Sequence, residues 1–295
     1  MKPRDLLDLT LLAALWGGSF LFMRVAAPDF GPLALIGVRL ASAAALLVAW
    51  LALIGELRLL RVHAWPLLVV GVLNSALPFC LFAWALLSVS AGFAAILNAT
   101  SPLWGALIGR LWLRERLGRW RIAGLVIGLA GVVLLVWGRA GLQPGGEGWP
   151  VLAGLAGGLS YGIAGHYTRR HLSGVPSLAV AAGSQCHAAI ALAPLAWYAW
   201  PGQQPSVEAW AAALVLGLAC TGVAYVLYFR LIANVGPNRA ITVTFLVPAF
   251  AMTWGALFLG ERITAQMALA CAVVLAGTAL STGALDPARL RRSRR

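Results

Sequence analysis

The chain has 295 residues, of which 61% are hydrophobic and 11% are charged, and its mean hydropathy is +0.86. This composition excludes an ordinary soluble globular protein and is typical of a chain that crosses a bilayer several times. A formal net charge of +13 would indicate nucleic-acid binding in a soluble protein, but here the basic residues cluster in short segments between apolar runs.

Ten apolar segments of about 20 residues, the length that a helix needs to cross the bilayer core, follow one another along the chain. In chain order the predicted spans are residues 6–26, 32–54, 65–87, 91–113, 121–137, 149–167, 176–197, 207–231, 240–260 and 265–283. The connections between them are short. The sequence therefore predicts an all-α integral membrane protein with ten transmembrane helices.

The lysines and arginines divide unevenly between the two sides that these spans create. Of the 22 basic residues, 18 lie on the side of the N-terminus, three lie opposite (Arg24, Arg139 and Arg262), and Arg39 lies within the second span. Cytosolic loops are enriched in Lys and Arg, so both termini are predicted to be cytosolic in a bacterial inner membrane, with residues 286–295 as a basic tail. The net charge is thus a topology signal, and no nucleic-acid partner is expected.

The four cysteines, Cys80, Cys186, Cys220 and Cys271, all lie within predicted spans and show no CxxC spacing. They are expected to act as small packing residues rather than as disulfides or metal ligands. The nearest candidate for catalysis is the run at residues 184–187, but adjacent side chains on a helix point in different directions. We therefore expect no metal site, no cofactor and no enzymatic activity.

The two halves of the chain repeat each other. The segment at residues 102–116 recurs 146 residues later at 248–262. Six pairs of positions coincide: Pro102/Pro248, Gly109/Gly255, Leu111/Leu257, Leu113/Leu259, Glu115/Glu261 and Arg116/Arg262. Five predicted spans separate the copies, an odd number, so the copies should lie upside down relative to each other. Residues 1–140 and 148–285 are predicted to be two inverted five-helix repeats.

This pattern resembles the EamA family of the drug/metabolite transporter superfamily. The matching features are the aromatic-Gly step of each first helix (Trp16-Gly17 and Tyr161-Gly162), the start of helix 2 from Pro32 to Arg39, and the two Pro-to-Glu segments. The resemblance extends over nearly the whole chain. It implies a helical transporter with a central cavity and the export of small metabolites such as amino acids.

Two prolines, Pro102 and Pro248, lie near the middle of predicted helices 4 and 9. Proline removes the hydrogen bond to the carbonyl four residues earlier, so the carbonyls of Asn98 and Thr244 are expected to be free at membrane depth. Such carbonyls are tolerated only against protein or a wet cavity. The favoured interpretation is a substrate cavity, and the alternative is a structural kink satisfied by a neighbouring Ser or water.

Polar and aromatic side chains elsewhere in the spans complete the predicted cavity, although each could instead bond a neighbouring helix. The full set of candidates is Trp16, Asn74, Phe79, Asn98, Pro102, Tyr161, Gln185, His187, Tyr225, Tyr228, Thr244 and Pro248. Arg39, near the outer end of helix 2, is expected to snorkel outward or to pair structurally rather than to attract a carboxylate of the solute.

No Asp or Glu lies in the middle of a predicted span. Carboxylates are the usual intramembrane proton carriers, so the sequence favours facilitated alternating access for a small neutral or zwitterionic solute. The alternative is a proton-coupled multidrug or metabolite antiporter that uses His187 or His166. The expected partners are the solute and the lipid bilayer, and the expected state is a monomer or weak dimer.

Overall fold

The computed structural model describes residues 2–112, 114, 117–138, 146 and 148–283. Within these residues the protein is entirely helical and contains no strand, which confirms the all-α prediction. Ten helical stretches in this part of the chain have 17 or more residues. They are α1 (Pro3–Phe30), α2 (Pro32–Leu53), α3 (Ala64–Ala85), α4 (Ala91–Leu111), α5 (Arg119–Val136), α6 (Gly148–His171), α7 (Ser177–Tyr198), α8 (Val207–Val235), α9 (Val243–Leu259) and α10 (Ala265–Ser281).

Seven of these helices, α1 to α5, α7 and α8, are long and apolar enough to cross a membrane. The helices α9 and α10 are apolar but have only 17 residues each, and α6 is rich in glycine. Several predicted features lie outside the described residues, namely Glu115, Arg116, Arg139 and the basic tail at 286–295. The count of ten spans and the cytosolic position of both termini stay predictions.

Local sequence explains where the helices begin and end. The carboxylate of Asp5 accepts a hydrogen bond of 3.1 Å from the backbone N–H of Lys2 at the start of α1. Gly31 separates α1 from α2 with a φ of +70°, a conformation that glycine adopts without strain. The side chains of Ser90, Ser206 and Thr264 cap α4, α8 and α10 by accepting a backbone N–H three residues later, as N-caps do.

Three helices are irregular near their middle. A π-helical turn interrupts α3 at Val72–Ala76, and another interrupts α8 at Leu218–Val223, 146 residues later. Such turns are frequent at functional sites because they displace side chains from the regular helical face. In α4 the chain leaves the α-helix at Ala99 and Thr100 and resumes it at Ser101, so Pro102 lies in a first turn, where proline is tolerated.

The helices pack in a pattern that repeats between the two halves. The pair α1/α9 corresponds to α6/α4, the pair α1/α8 corresponds to α6/α3, and α2/α8 corresponds to α7/α3. The helices α2 and α7 pack on each other, as do α4 and α9, and α5 and α10. This pattern is the one that a five-helix duplication would produce, while the inversion of the two halves stays a prediction.

Glycine allows two of these crossings to be close. A Cβ added at Gly17 in α1 would lie 2.6 Å from the Cβ of Phe250 in α9. At the corresponding crossing, a Cβ added at Gly162 in α6 would lie 2.8 Å from the backbone nitrogen of Gly105 in α4. Both distances are shorter than van der Waals contact, so these helices approach each other only because the side chain is absent.

Candidate functional site

A cavity of about 330 Å³ lies among α1, α2, α3, α4, α6, α8 and α9. This volume is at the lower end of the range of about 300–1,000 Å³ that is usual for small-molecule sites. The structure brings nine of the twelve predicted residues together at this cavity: Trp16, Asn74, Phe79, Asn98, Pro102, Tyr161, Tyr225, Tyr228 and Thr244.

The remaining three predicted residues do not line the cavity. Gln185 is fully buried and donates a hydrogen bond of 2.8 Å from Nε2 to Ser75 Oγ. Pro248 is buried inside α9. His187 lies beside a separate depression with Arg61, and its Nδ1 is 2.8 Å from the carbonyl oxygen of Gly183.

Pro102 does not act as the favoured interpretation of the sequence suggested. The carbonyl of Asn98 is not free, because the hydroxyl of Ser101 donates a hydrogen bond of 2.6 Å to it. The predicted free carbonyl is therefore wrong for Asn98, and the alternative of a kink satisfied by a neighbouring Ser is what the structure has. The half-buried side chain of Asn98 still lines the cavity.

Aromatic rings form much of the cavity wall. The rings of Trp16 and Tyr228 lie 5.3 Å apart, centroid to centroid, and join α1 to α8. The ring of Tyr161 stacks on Phe82 at 6.4 Å. The hydroxyl of Tyr225 accepts a hydrogen bond of 3.3 Å from Nδ2 of Asn74, which joins the π-helical turn of α3 to α8 two residues beyond the π-helical turn of α8. These surfaces are apolar with a few fixed polar tips, which suits a small organic molecule.

Eleven of the residues that line the cavity were not among the predicted candidates, and Arg39 is the charged one among them. Its side chain does not snorkel outward, because the residue is only 4% exposed and lines the cavity. Its Nε donates a hydrogen bond of 3.0 Å to Thr221 Oγ1, and its Cζ lies 3.5 Å above the centre of the Phe79 ring. The 146-residue offset contained a usable signal, since it matches Arg39 to Gln185 and Ser75 to Thr221.

None of the carboxylates in the described part of the chain neutralises Arg39. Asp8 pairs with Arg230, Asp5 accepts from Asn234, and Asp29 accepts from Ser206. The carboxylate of Glu261 accepts from the backbone N–H of Ala91, and the two others that the structure describes, Glu56 and Glu208, are exposed. The cavity thus carries a positive charge that these groups leave unbalanced.

The two ends of the cavity differ. Ile241, which is 43% exposed, lines one end, near the contact between Asp8 of α1 and Arg230 of α8. Met23 lines the other end, beside Arg39. Near the far end of α1, Arg24 donates a hydrogen bond to the carbonyl of Leu86.

Among the described residues, no group of three or more His, Cys, Asp or Glu side chains could hold a metal ion. The residues that line the cavity include a cation, amides, hydroxyls and aromatic rings but no His, Asp or Glu.

Comparison with known proteins relates this architecture to membrane transport. The model of a family described as "EamA-like transporter family" matches residues 7–137 and 148–283. The uncharacterized inner membrane transporter YedA of Escherichia coli K12 is 29% identical over 297 residues, which cover 96% of this chain and 93% of YedA. The uncharacterized transporter YoaV of Bacillus subtilis is 24% identical over 94% of this chain and 96% of YoaV.

A solved crystal structure has the same fold. It aligns with a TM-score of 0.67 and 23% sequence identity, and the alignment covers 97% of this chain and 100% of the solved chain. At this level of identity the likeness concerns the fold alone.

Proposed function

The chain belongs to the EamA-like transporter family, and on that premise we propose that it moves a small neutral or zwitterionic metabolite through the central cavity by alternating access. Amino acids and related compounds are the solutes that fit this proposal, and export across a bacterial inner membrane is the proposed direction. The observation that carries the proposal is the cavity itself, which lies among helices of both halves and has Arg39 at the end remote from Ile241.

The matched contacts of the two halves support an inverted-repeat mechanism with ten spans. Gln185 of α7 bonds across the two halves to Ser75 at the π-helical turn of α3, and Arg39 of α2 bonds across them to Thr221 at the π-helical turn of α8. In transporters built from inverted repeats, the solute binds between the repeats and one repeat rocks against the other. One chain supplies all the lining named here, so a monomer suffices.

The composition of the lining supports facilitated movement over proton coupling. No carboxylate or histidine of the described residues lines the cavity, and these are the groups that carry protons within a membrane. His187 lies at the separate depression, and Nε2 of His166 is 2.8 Å from the carbonyl oxygen of Gly105. The proposed mechanism is therefore a reversible uniport.

A counterflow screen in proteoliposomes, with amino acids and small metabolites, would identify the solute and separate a carrier from a channel. The accumulation of the identified solute inside the proteoliposomes is then measured with and without a pH gradient of about two units, which stores about 2.7 kcal/mol per proton. Strict coupling to one proton would concentrate the solute about a hundredfold, whereas a uniporter stops near a ratio of one. Tenfold or greater accumulation that a protonophore abolishes would replace this proposal with the proton-coupled antiporter.

A further inference from the structure

Arg39 has the contacts of a binding group rather than of a structural ion pair. Its described partners are all neutral: the hydroxyl of Thr221, the ring of Phe79 and Sδ of Met23, which lies 3.5 Å from Nη1. A buried charge without a counter-ion costs several kcal/mol, and neutral hydrogen bonds and a ring face offset only part of that cost. The site is therefore favourable for an anion that enters the cavity.

The guanidinium of Arg39 has N–H donors that make no hydrogen bond to the described residues. It carries five N–H bonds, and within the described residues only Nε and Nη1 donate to a side chain, the latter to the weak acceptor sulfur. Nη2 makes no hydrogen bond with any residue in that part of the chain. The Nη1/Nη2 edge can thus bond both oxygens of a carboxylate, the geometry that arginine favours.

The other half of the protein shows that the charge is not needed for packing. Gln185 holds the equivalent position in α7 and makes the equivalent bond, to Ser75, with a neutral amide. A neutral side chain can therefore satisfy the hydroxyl of a π-helical turn. What Arg39 adds at its own position is a positive charge and extra donors at the cavity.

We propose that Arg39 binds the carboxylate of the transported solute and holds it at the end of the cavity remote from Ile241. The solute is then a small organic carboxylate. A zwitterion carries such a carboxylate and has no net charge, so it agrees with the proposed function. Met23 and Trp16 are seven residues apart on α1, which corresponds to about 10 Å along the helix. The remainder of the solute would extend over this distance towards the rings of Trp16 and Tyr228. That the bound carboxylate is the transported solute rests on the proposed function.

Binding, measured separately from transport, tests the proposal. Purified protein is titrated with the twenty common amino acids and with short monocarboxylates, each paired with its uncharged amide at the carboxyl position, and binding is followed by thermal shift. We expect at least one carboxylate to bind tenfold or more tightly than its amide, which corresponds to about 1.4 kcal/mol. Absence of binding by every carboxylate, or equal binding of acid and amide, would overturn the proposal, as would tighter binding of methyl phosphate.

Arg39→Gln is the matched variant, since it places at residue 39 the side chain found at residue 185. It should keep a bond to Thr221, bind the carboxylate at least tenfold more weakly and leave amide binding unchanged, whereas Arg39→Lys should keep part of the preference. Arg119→Gln, which removes an exposed charge from α5, is the control and should bind as the unmodified protein does. Should Arg39→Gln not fold, a reduced carboxylate preference in Arg39→Lys would still support the proposal, and an undiminished preference would contradict it.

Binding and counterflow, both measured on the unmodified protein and on Arg39→Gln, distinguish this inference from the proposed function. Carboxylate preference without counterflow would leave the binding role of Arg39 intact and contradict transport. Counterflow of a solute with no carboxylate preference would leave transport intact and contradict the role of Arg39.

Discussion

Arg39 and Gln185 stand 146 residues apart, and each makes the same contact with the opposite half of the protein. Arg39 Nε donates a hydrogen bond of 3.0 Å to Thr221 Oγ1, and Gln185 Nε2 donates one of 2.8 Å to Ser75 Oγ. Each acceptor belongs to a π-helical turn and is buried. The halves share a framework at this point but differ in charge, so that only one of them presents a cation to the cavity.

Thr221→Val should destabilise the protein because it leaves Nε of the buried Arg39 without its acceptor. We expect a loss of about 1–3 kcal/mol in the free energy of unfolding. Thermal unfolding in detergent measures the effect. Thr253→Val is the matched control, since Thr253 is exposed on α9 and bonds only the backbone of its own helix. Equal melting temperatures for the two variants would contradict the prediction.

Gly162→Ala should weaken the crossing of α6 and α4, since the added methyl group would overlap the backbone at Gly105. Overpacking of this kind costs about 1–3 kcal/mol. Gly165→Ala lies one turn further along α6, where an added Cβ meets nothing within 4 Å, and should unfold at the temperature of the unmodified protein or slightly above it. The two glycine variants are compared by their melting temperatures, and the prediction fails if Gly162→Ala is as stable as Gly165→Ala.

The contact between Asp8 and Arg230 should show energetic coupling in a double-mutant cycle. Asp8 is 2% exposed whereas Arg230 is 40% exposed. Removal of the arginine charge in Arg230→Gln therefore strands a buried carboxylate and should cost more than Asp8→Asn, which leaves an arginine that can turn to solvent. We expect a coupling of about 1 kcal/mol, reduced by the exposure of Arg230. Additive effects of the two substitutions on the free energy of unfolding would rule out the coupling.

Glu261→Gln should loosen the start of α4. Both carboxylate oxygens of Glu261 accept from the backbone N–H of Ala91, at 2.9 and 3.0 Å, and so tie α4 to the end of α9. The loss should be about 0.5–2 kcal/mol, as for other caps at a helix N-terminus. Glu208→Gln, at an exposed position, serves as the control and should leave the melting temperature nearly unchanged.

A reporter fused after Arg295 tests the predicted orientation. Because 18 of the 22 basic residues lie on the side of the N-terminus, we expect the C-terminus to be cytosolic. A fluorescent protein that folds only in the cytosol should be bright at this position, and alkaline phosphatase should be inactive. The reverse pattern would overturn the topology and with it the predicted inversion of the two halves.

Composition and periodicity alone determined much of this protein. The apolar segments form helices where they were expected, because about 20 apolar residues in succession have few other stable structures in a bilayer. The internal repeat also carried positional information. Trp16 and Tyr161 belong to its matching aromatic-Gly steps, and both line the cavity, as do the predicted residues Tyr225 and Tyr228.

Only the tertiary structure decided which polar groups face the cavity. Sequence position gives the depth of a side chain in the membrane, but the rotation of each helix is set by packing against its neighbours. Gln185 was expected at the cavity, yet its amide bonds to Ser75, which is 110 residues away in the chain. Arg39 was expected to turn outward or to pair structurally, and Thr221, 182 residues away, holds it inward. Such contacts between distant segments leave no local pattern, and the free carbonyl expected at Asn98 was lost to an equally specific bond from Ser101.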